Sequence, residues 1–104
     1  MRKLVRDRMP EIIRAKGEEA IVYRAEPDEY RRRLRDKLVE EVDEFLSEGE
    51  AEREAALEEL ADVLEVVRAL AVDLGSSAEE IERIRSTKAA ERGAFAERVI
   101  WSDK

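Results

Sequence analysis

The chain has 104 residues, 45% of them charged and 43% hydrophobic, with 20 basic against 27 acidic side chains and a net charge of −7. It contains neither Cys nor His. That excludes disulfides, thiolate nucleophiles, zinc–thiolate and iron–sulfur sites, histidine-based triads and imidazole metal ligands. What is left is chemistry on carboxylates, amines, guanidiniums, hydroxyls and a metal bound through oxygen.

A chain of this length reads as one domain, 1–104, and its apolar content together with its charge suits amphipathic helices better than disorder. A first short helix is predicted from about Arg8 to Lys16, with Asp7 as its cap, Pro10 in its first turn and Gly17 at its end. Ala20-Ile21-Val22-Tyr23 is rich in β-branched residues and reads as a short extended segment. Pro27-Asp28 opens a second helix that runs to about Ser47 and closes at Gly49. The third runs from about Ala51 to Leu74 and stops at Gly75. Ser76 or Ser77 caps the fourth, Glu79 and Glu80 lie in its first turn, and Gly93 ends it. The tail from Ala94 to Lys104 carries Phe95, Val99, Ile100 and Trp101 and is expected to pack on something. No apolar run approaches the length of a membrane span, and Met1 to Asp7 lacks a signal-peptide core, so a cytoplasmic protein is expected.

An ideal helix advances about 100° per residue, which assigns each side chain to a face. The apolar stripe of the second helix is Tyr30, Leu34, Leu38, Val42 and Phe45, widened by Val39 and Leu46. Glu41 falls inside that arc, about 20° from both Tyr30 and Leu34, while Lys37 and Glu44 lie just beyond its edge. The third helix is apolar nearly all round, yet Glu59 sits between Val66 and Leu70 on its wheel, and Asp62 between Ala55 and Ala69. Two acidic i,i+3 pairs, Glu41/Glu44 and Glu59/Asp62, thus fall on apolar-facing sides of neighbouring helices. Burying unpaired carboxylates is costly, and clustered like charges raise one another's pKa, so the arrangement calls for a cation. Oxygen ligands alone favour Mg²⁺, Mn²⁺ or Ca²⁺. The competing reading is an exposed acidic face, or a buried salt bridge from Glu41 and Glu44 to Lys37 or an arginine.

The acidic balance argues against duplex nucleic acid as a partner, but not against a phosphate ligand bridged by a divalent cation. Arg31, Arg32, Arg33 and Arg35 wrap around the start of a helix without interleaved aromatics and read as a solvated face. On the fourth helix Ile81 and Ile84 define the buried stripe, which Lys88 and Arg92 continue one and two turns later. Like charges at this spacing call for a partner between them, either an anionic ligand or the acidic helix pair, or else they snorkel past the end of the bundle.

The run Lys37-Leu38-Val39-Glu40-Glu41-Val42-Asp43-Glu44, followed by Glu58-Glu59-Leu60-Ala61-Asp62-Val63-Leu64, resembles the all-α nucleoside triphosphate pyrophosphohydrolases of the MazG-like superfamily. Their signature is Glu-Glu-x-x-Glu, then Glu-x-x-Asp on the next helix. The opening Lys3-Leu4-Val5-Arg6-Asp7-Arg8-Met9-Pro10 and the closing Lys88-x-x-x-Arg92-Gly93-x-Phe95 look like a small single-domain branch, so the resemblance covers almost the whole chain.

That resemblance implies an all-α helical bundle of about four helices, with a short extended segment near the N-terminus, completed by assembly as a homodimer or homotetramer. It implies metal ligands at Glu41, Glu44, Glu59 and Asp62, holding Mg²⁺ or Mn²⁺. Glu40 and Glu41 are the implied catalytic pair, with Glu40 either activating water or orienting a ligand. Lys37, Lys88 and Arg92, with Lys3 and Arg6, are the implied phosphate contacts. The implied substrate is a nucleoside triphosphate or phosphoribosyl-ATP. The residues themselves also leave open a helical module that only dimerises or docks on a partner.

Overall fold

The periodicity and caps produce four helices: α1 (Met9–Ala15), α2 (Pro27–Glu48), α3 (Arg53–Asp73) and α4 (Ala78–Arg92). The computed structural model describes residues 2–48 and 52–103, and no strand occurs among them. Gly49 and Ala51, the expected end of α2 and start of α3, lie outside the described residues. No helix of the described chain is long and apolar enough to cross a membrane.

Local sequence explains most of the boundaries. Ser77 rather than Ser76 caps α4, its side chain accepting the Glu80 backbone N–H at 3.0 Å. Ser76 Oγ instead donates to the Glu80 carboxylate. Gly75 and Gly93 adopt φ +84° and +81°, a region that ends a helix at no steric cost to glycine. The start of α1 departs from expectation. Arg8, not Asp7, is the N-cap and supplies no side-chain bond; the turn is closed by Met9 N–H on the Arg6 carbonyl at 3.0 Å.

The long helices α2 and α3, joined by four residues, run antiparallel and make the main tertiary contact, with α4 packed on α3. The stripe expected to be buried on α4 is not: Ile81 and Ile84 are 38% and 44% exposed, because α4 meets α3 over only a limited stretch. The stripe predicted for α2 is the one used: Leu34 is 2% exposed and Tyr30, Leu38, Val42 and Phe45 are half-buried, while Val39 and Leu46, at its rim, stay exposed. Val66 of α3 is buried on the side facing α2, and Ala71 on another face. Arg31 at the start of α2 donates to Asp73 at the end of α3 at 3.0 Å, pinning the open end of the hairpin. This Arg31 pairing, and the Arg33 pairing with Glu29, make the arginine run partly a set of structural tethers.

Residues 20–23 are irregular and are held by side chains rather than a strand partner. Arg14 donates to the Ala20 carbonyl at 2.6 Å, Tyr23 donates to Glu29 at 2.6 Å, and the Arg2 guanidinium lies 5.6 Å from the centre of the Tyr23 ring. The tail departs further from expectation. Phe95 and Trp101 are 95% and 94% exposed, and Val99 and Ile100 are nearly as bare, so nothing among the described residues covers them.

The chain exposes far more surface than a self-contained monomer. Its accessible area is 9432 Å², against about 6,000 Å² for a compact protein of 12.0 kDa, and its radius of gyration is 17.4 Å against about 13 Å. Part of the exposed surface is apolar: Leu57, Leu60 and Leu64 form a half-exposed stripe on α3, on the face of the helix where Ala71, two turns beyond Leu64, is buried.

Candidate functional site

Where α2 crosses α3, the carboxylates of Glu41, Glu44 and Glu59 converge, each offering an oxygen within 4.8 Å of the others. Helical spacing makes this possible: an i,i+3 pair on α2 faces Glu59, which projects from the α2-facing side of α3. Glu41 is 6% exposed, the only buried charged residue described. Its Oε2 and that of Glu59 are out of water with no hydrogen-bond partner among the described residues. Buried acceptors left unpaired are rare, and each asks for a donor or a cation.

Charge and burial act together here. Burial pushes the Glu41 carboxyl above its ordinary range; Glu44 and Asp62 push the same way, and Lys37 opposes them. Burial likewise raises Glu59, and the adjacent Glu44 carboxylate adds to the effect. The donor set is entirely oxygen, which fits a hard divalent cation.

The fourth expected ligand stands apart. Asp62 is not among the converging carboxylates; its Oδ1 accepts from Arg6 Nη2 at 2.7 Å. Lys37 lies on the other flank, 2.8 Å from Glu40 and 3.2 Å from Glu41. Burial works against the Lys37 charge, but the hydrogen bonds to Glu40 and Glu41 outweigh it and raise the ammonium. Glu40 sits beside the cluster; the Lys37 hydrogen bond holds its carboxyl below the usual range, and Lys3 at 3.8 Å adds to the pull. The salt bridge from Glu41 to Lys37, one of the two readings open from sequence, is therefore formed, yet it satisfies only one Glu41 oxygen.

Lys3, Arg6 and Lys37 all reach the acidic face. Lys88 and Arg92 do not: both are exposed, and no hydrogen bond or ion pair among the described residues joins them to the cluster. An open groove of about 690 Å³ runs alongside, lined by Asp36, Glu40, Asp43, Glu44, Glu48 and Glu59, with Val39 and Ser47 between them. Asp36 and Asp43 were not singled out from sequence. Their seven-residue spacing, which puts both on the Glu40 side of α2, is the signal that could have found them.

No family model, curated protein or solved structure matches this chain.

Proposed function

We propose that the chain is a divalent-metal-dependent nucleoside triphosphate pyrophosphohydrolase of the MazG-like kind, hydrolysing the α–β phosphoanhydride to a nucleoside monophosphate and pyrophosphate. One observation supports this most: three carboxylates on facing helices converge within 4.8 Å around a glutamate that is nine-tenths buried and has an unpartnered oxygen. Those residues are Glu41, Glu44 and Glu59, with Asp62 as a fourth ligand. A bound Mg²⁺ or Mn²⁺ would neutralise phosphate charge and acidify an attacking water.

The chain's own residues have distinct parts in this reading. Glu40, kept ionised by Lys37 and Lys3, takes the proton of the attacking water, since the chain has no histidine to do so. Lys37, Lys3 and Arg6 line the acidic face from two sides and meet the anionic oxygens of the substrate. Lys88 and Arg92 serve the same purpose from α4 of a second copy. The excess surface supports such an assembly: about 3,400 Å² beyond a compact monomer exceeds the roughly 1,000–2,500 Å² each partner contributes to an obligate interface. The substrate is a non-canonical or surplus (deoxy)nucleoside triphosphate, with phosphoribosyl-ATP as the alternative.

The test is pyrophosphate release from canonical and modified nucleoside triphosphates and from phosphoribosyl-ATP, with Mg²⁺ or Mn²⁺. Release from one of them, lost in Glu41→Gln and Asp62→Asn, is expected; no release from any would overturn the enzyme reading. The half-exposed Leu57, Leu60 and Leu64 stripe favours a second reading, a helical module that only dimerises or docks. Under it, divalent cations leave thermal stability unchanged, and Glu59→Gln raises stability with or without them.

A further inference from the structure

Residues 2–7 strap the acidic face of the α2–α3 hairpin. The Arg2 carbonyl accepts from Arg33 at 3.3 Å, Lys3 reaches Glu40 at 3.8 Å, and Arg6 reaches Asp62 at 2.7 Å, 56 positions along the chain. Of these contacts, Arg6 on Asp62 is the one that bears on the cluster. Glu41, Glu44 and Glu59 point their oxygens at one another, while Asp62, one turn beyond Glu59, turns an oxygen to the strap.

A guanidinium does not deprotonate in a protein, so Arg6 is a permanent positive charge that leaves Asp62 only by moving. The pair is made for exchange. Arg6 and Asp62 are 56% and 38% exposed at the side chain, and the contact runs through a single Nη2–Oδ1 bond rather than a two-point fork. Exposed one-point pairs are weak and readily replaced. Beside it, Glu41 and Glu59 keep oxygens that no described donor reaches, so a cation arriving there finds its first ligands ready and its fourth held by Arg6.

We propose that Arg6 is an exchangeable counter-ion: it neutralises Asp62 while the cluster holds no divalent cation, and it is displaced from Asp62 when one enters. The proposal rests on the reading of the cluster as a divalent-metal site. Its consequence is a coupling, in which loading the metal frees a guanidinium on the strap for an anionic group.

The experiment is a calorimetric titration of the full chain with Mn²⁺, comparing the native protein with Arg6→Gln and with Lys16→Gln, an exposed charge that pairs with nothing described. Removing the competitor is expected to tighten Mn²⁺ binding about three- to tenfold in Arg6→Gln and to leave Lys16→Gln within about twofold. Unchanged or weaker binding in Arg6→Gln overturns the exchange while leaving the metal site standing. Absence of Mn²⁺ binding by the native protein overturns both. A measurement on the native protein needs no variant: NMR of the arginine side chains during Mg²⁺ titration. Rotation about the Arg6 Nε–Cζ bond should speed up as Mg²⁺ saturates, and rotation that stays slowed at saturation refutes displacement.

Discussion

Glu41→Gln separates a metal ligand from a structural salt bridge, because the two roles predict opposite signs. The amide keeps the shape of the side chain and removes one charge. At an effective dielectric constant near 20, a like charge at the 4.8 Å outer limit of the cluster repels by about 3.5 kcal/mol and an opposite charge at 3.2 Å attracts by about 5 kcal/mol. With the charge of Asp62 offset by Arg6, Glu41 faces two such repulsions, from Glu44 and Glu59, against the one attraction to Lys37, so removing its charge relieves about 2 kcal/mol. At the dielectric constant of water the same balance shrinks to about 0.4 kcal/mol. The metal-free variant is therefore expected to be more stable by about 0.5–2 kcal/mol, a rise in Tm of roughly 2–16 °C for a domain of this size. Saturating cation reverses the order: at a hundred times Kd the native chain gains about 2.7 kcal/mol, and the variant loses most of that gain. Thermal unfolding of both proteins with and without Mn²⁺ reads the crossing directly. A variant less stable than the native chain without metal, with equal metal-induced shifts in both, would show that Glu41 is present as the Lys37 partner and refute the argument.

Titration of the cluster gives the pH dependence its sign. Glu41 and Glu59 are raised in the folded chain, so their contribution is full below the unfolded value of 4.5 and is lost as pH rises through their folded values. Glu29, Glu40 and Glu82 are lowered, so theirs is present above 4.5 and is lost as pH falls. Urea midpoints of the metal-free protein should peak in the weakly acidic range and fall towards neutrality, with the fall suppressed by Mn²⁺; a steady climb from pH 4.5 to 7 would contradict this. Leu34→Ala, at a side chain 2% exposed in the α2–α3 seam, should cost about 2–5 kcal/mol in urea unfolding, whereas Val39→Ala on the exposed rim should cost under about 1 kcal/mol. Light scattering should give a mass at least twice 12.0 kDa. Trp101 emission should be blue-shifted and shielded from acrylamide, and a monomer with a freely quenched tryptophan would remove the case for assembly.

The helices were legible because their signals are local. A 3.6-residue period, a serine accepting an N–H three residues on, and a glycine free to take positive φ all act within one or two turns. The same locality put Glu41 and Glu59 on apolar-facing arcs, so the carboxylate cluster was foreseeable before any packing was known. It also explains the misplaced cap of α1, where a backbone turn at Arg6 and Met9 outweighed the side chain of Asp7.

The sequence by itself determined an all-helical chain, the faces of its long helices, and a carboxylate cluster that requires counter-charge. Only the tertiary structure decided which charges supply it. Lys37 lies one turn from Glu41 and was foreseeable, but Arg6 on Asp62 depends on where an irregular strap crosses a helix 56 residues away. Lys88 and Arg92 stand clear of the acids, an alternative the sequence had left open, and Phe95 and Trp101, expected to pack, find no cover among the described residues. Periodicity sets which side of a helix is apolar; the path of the chain in three dimensions sets what that side meets.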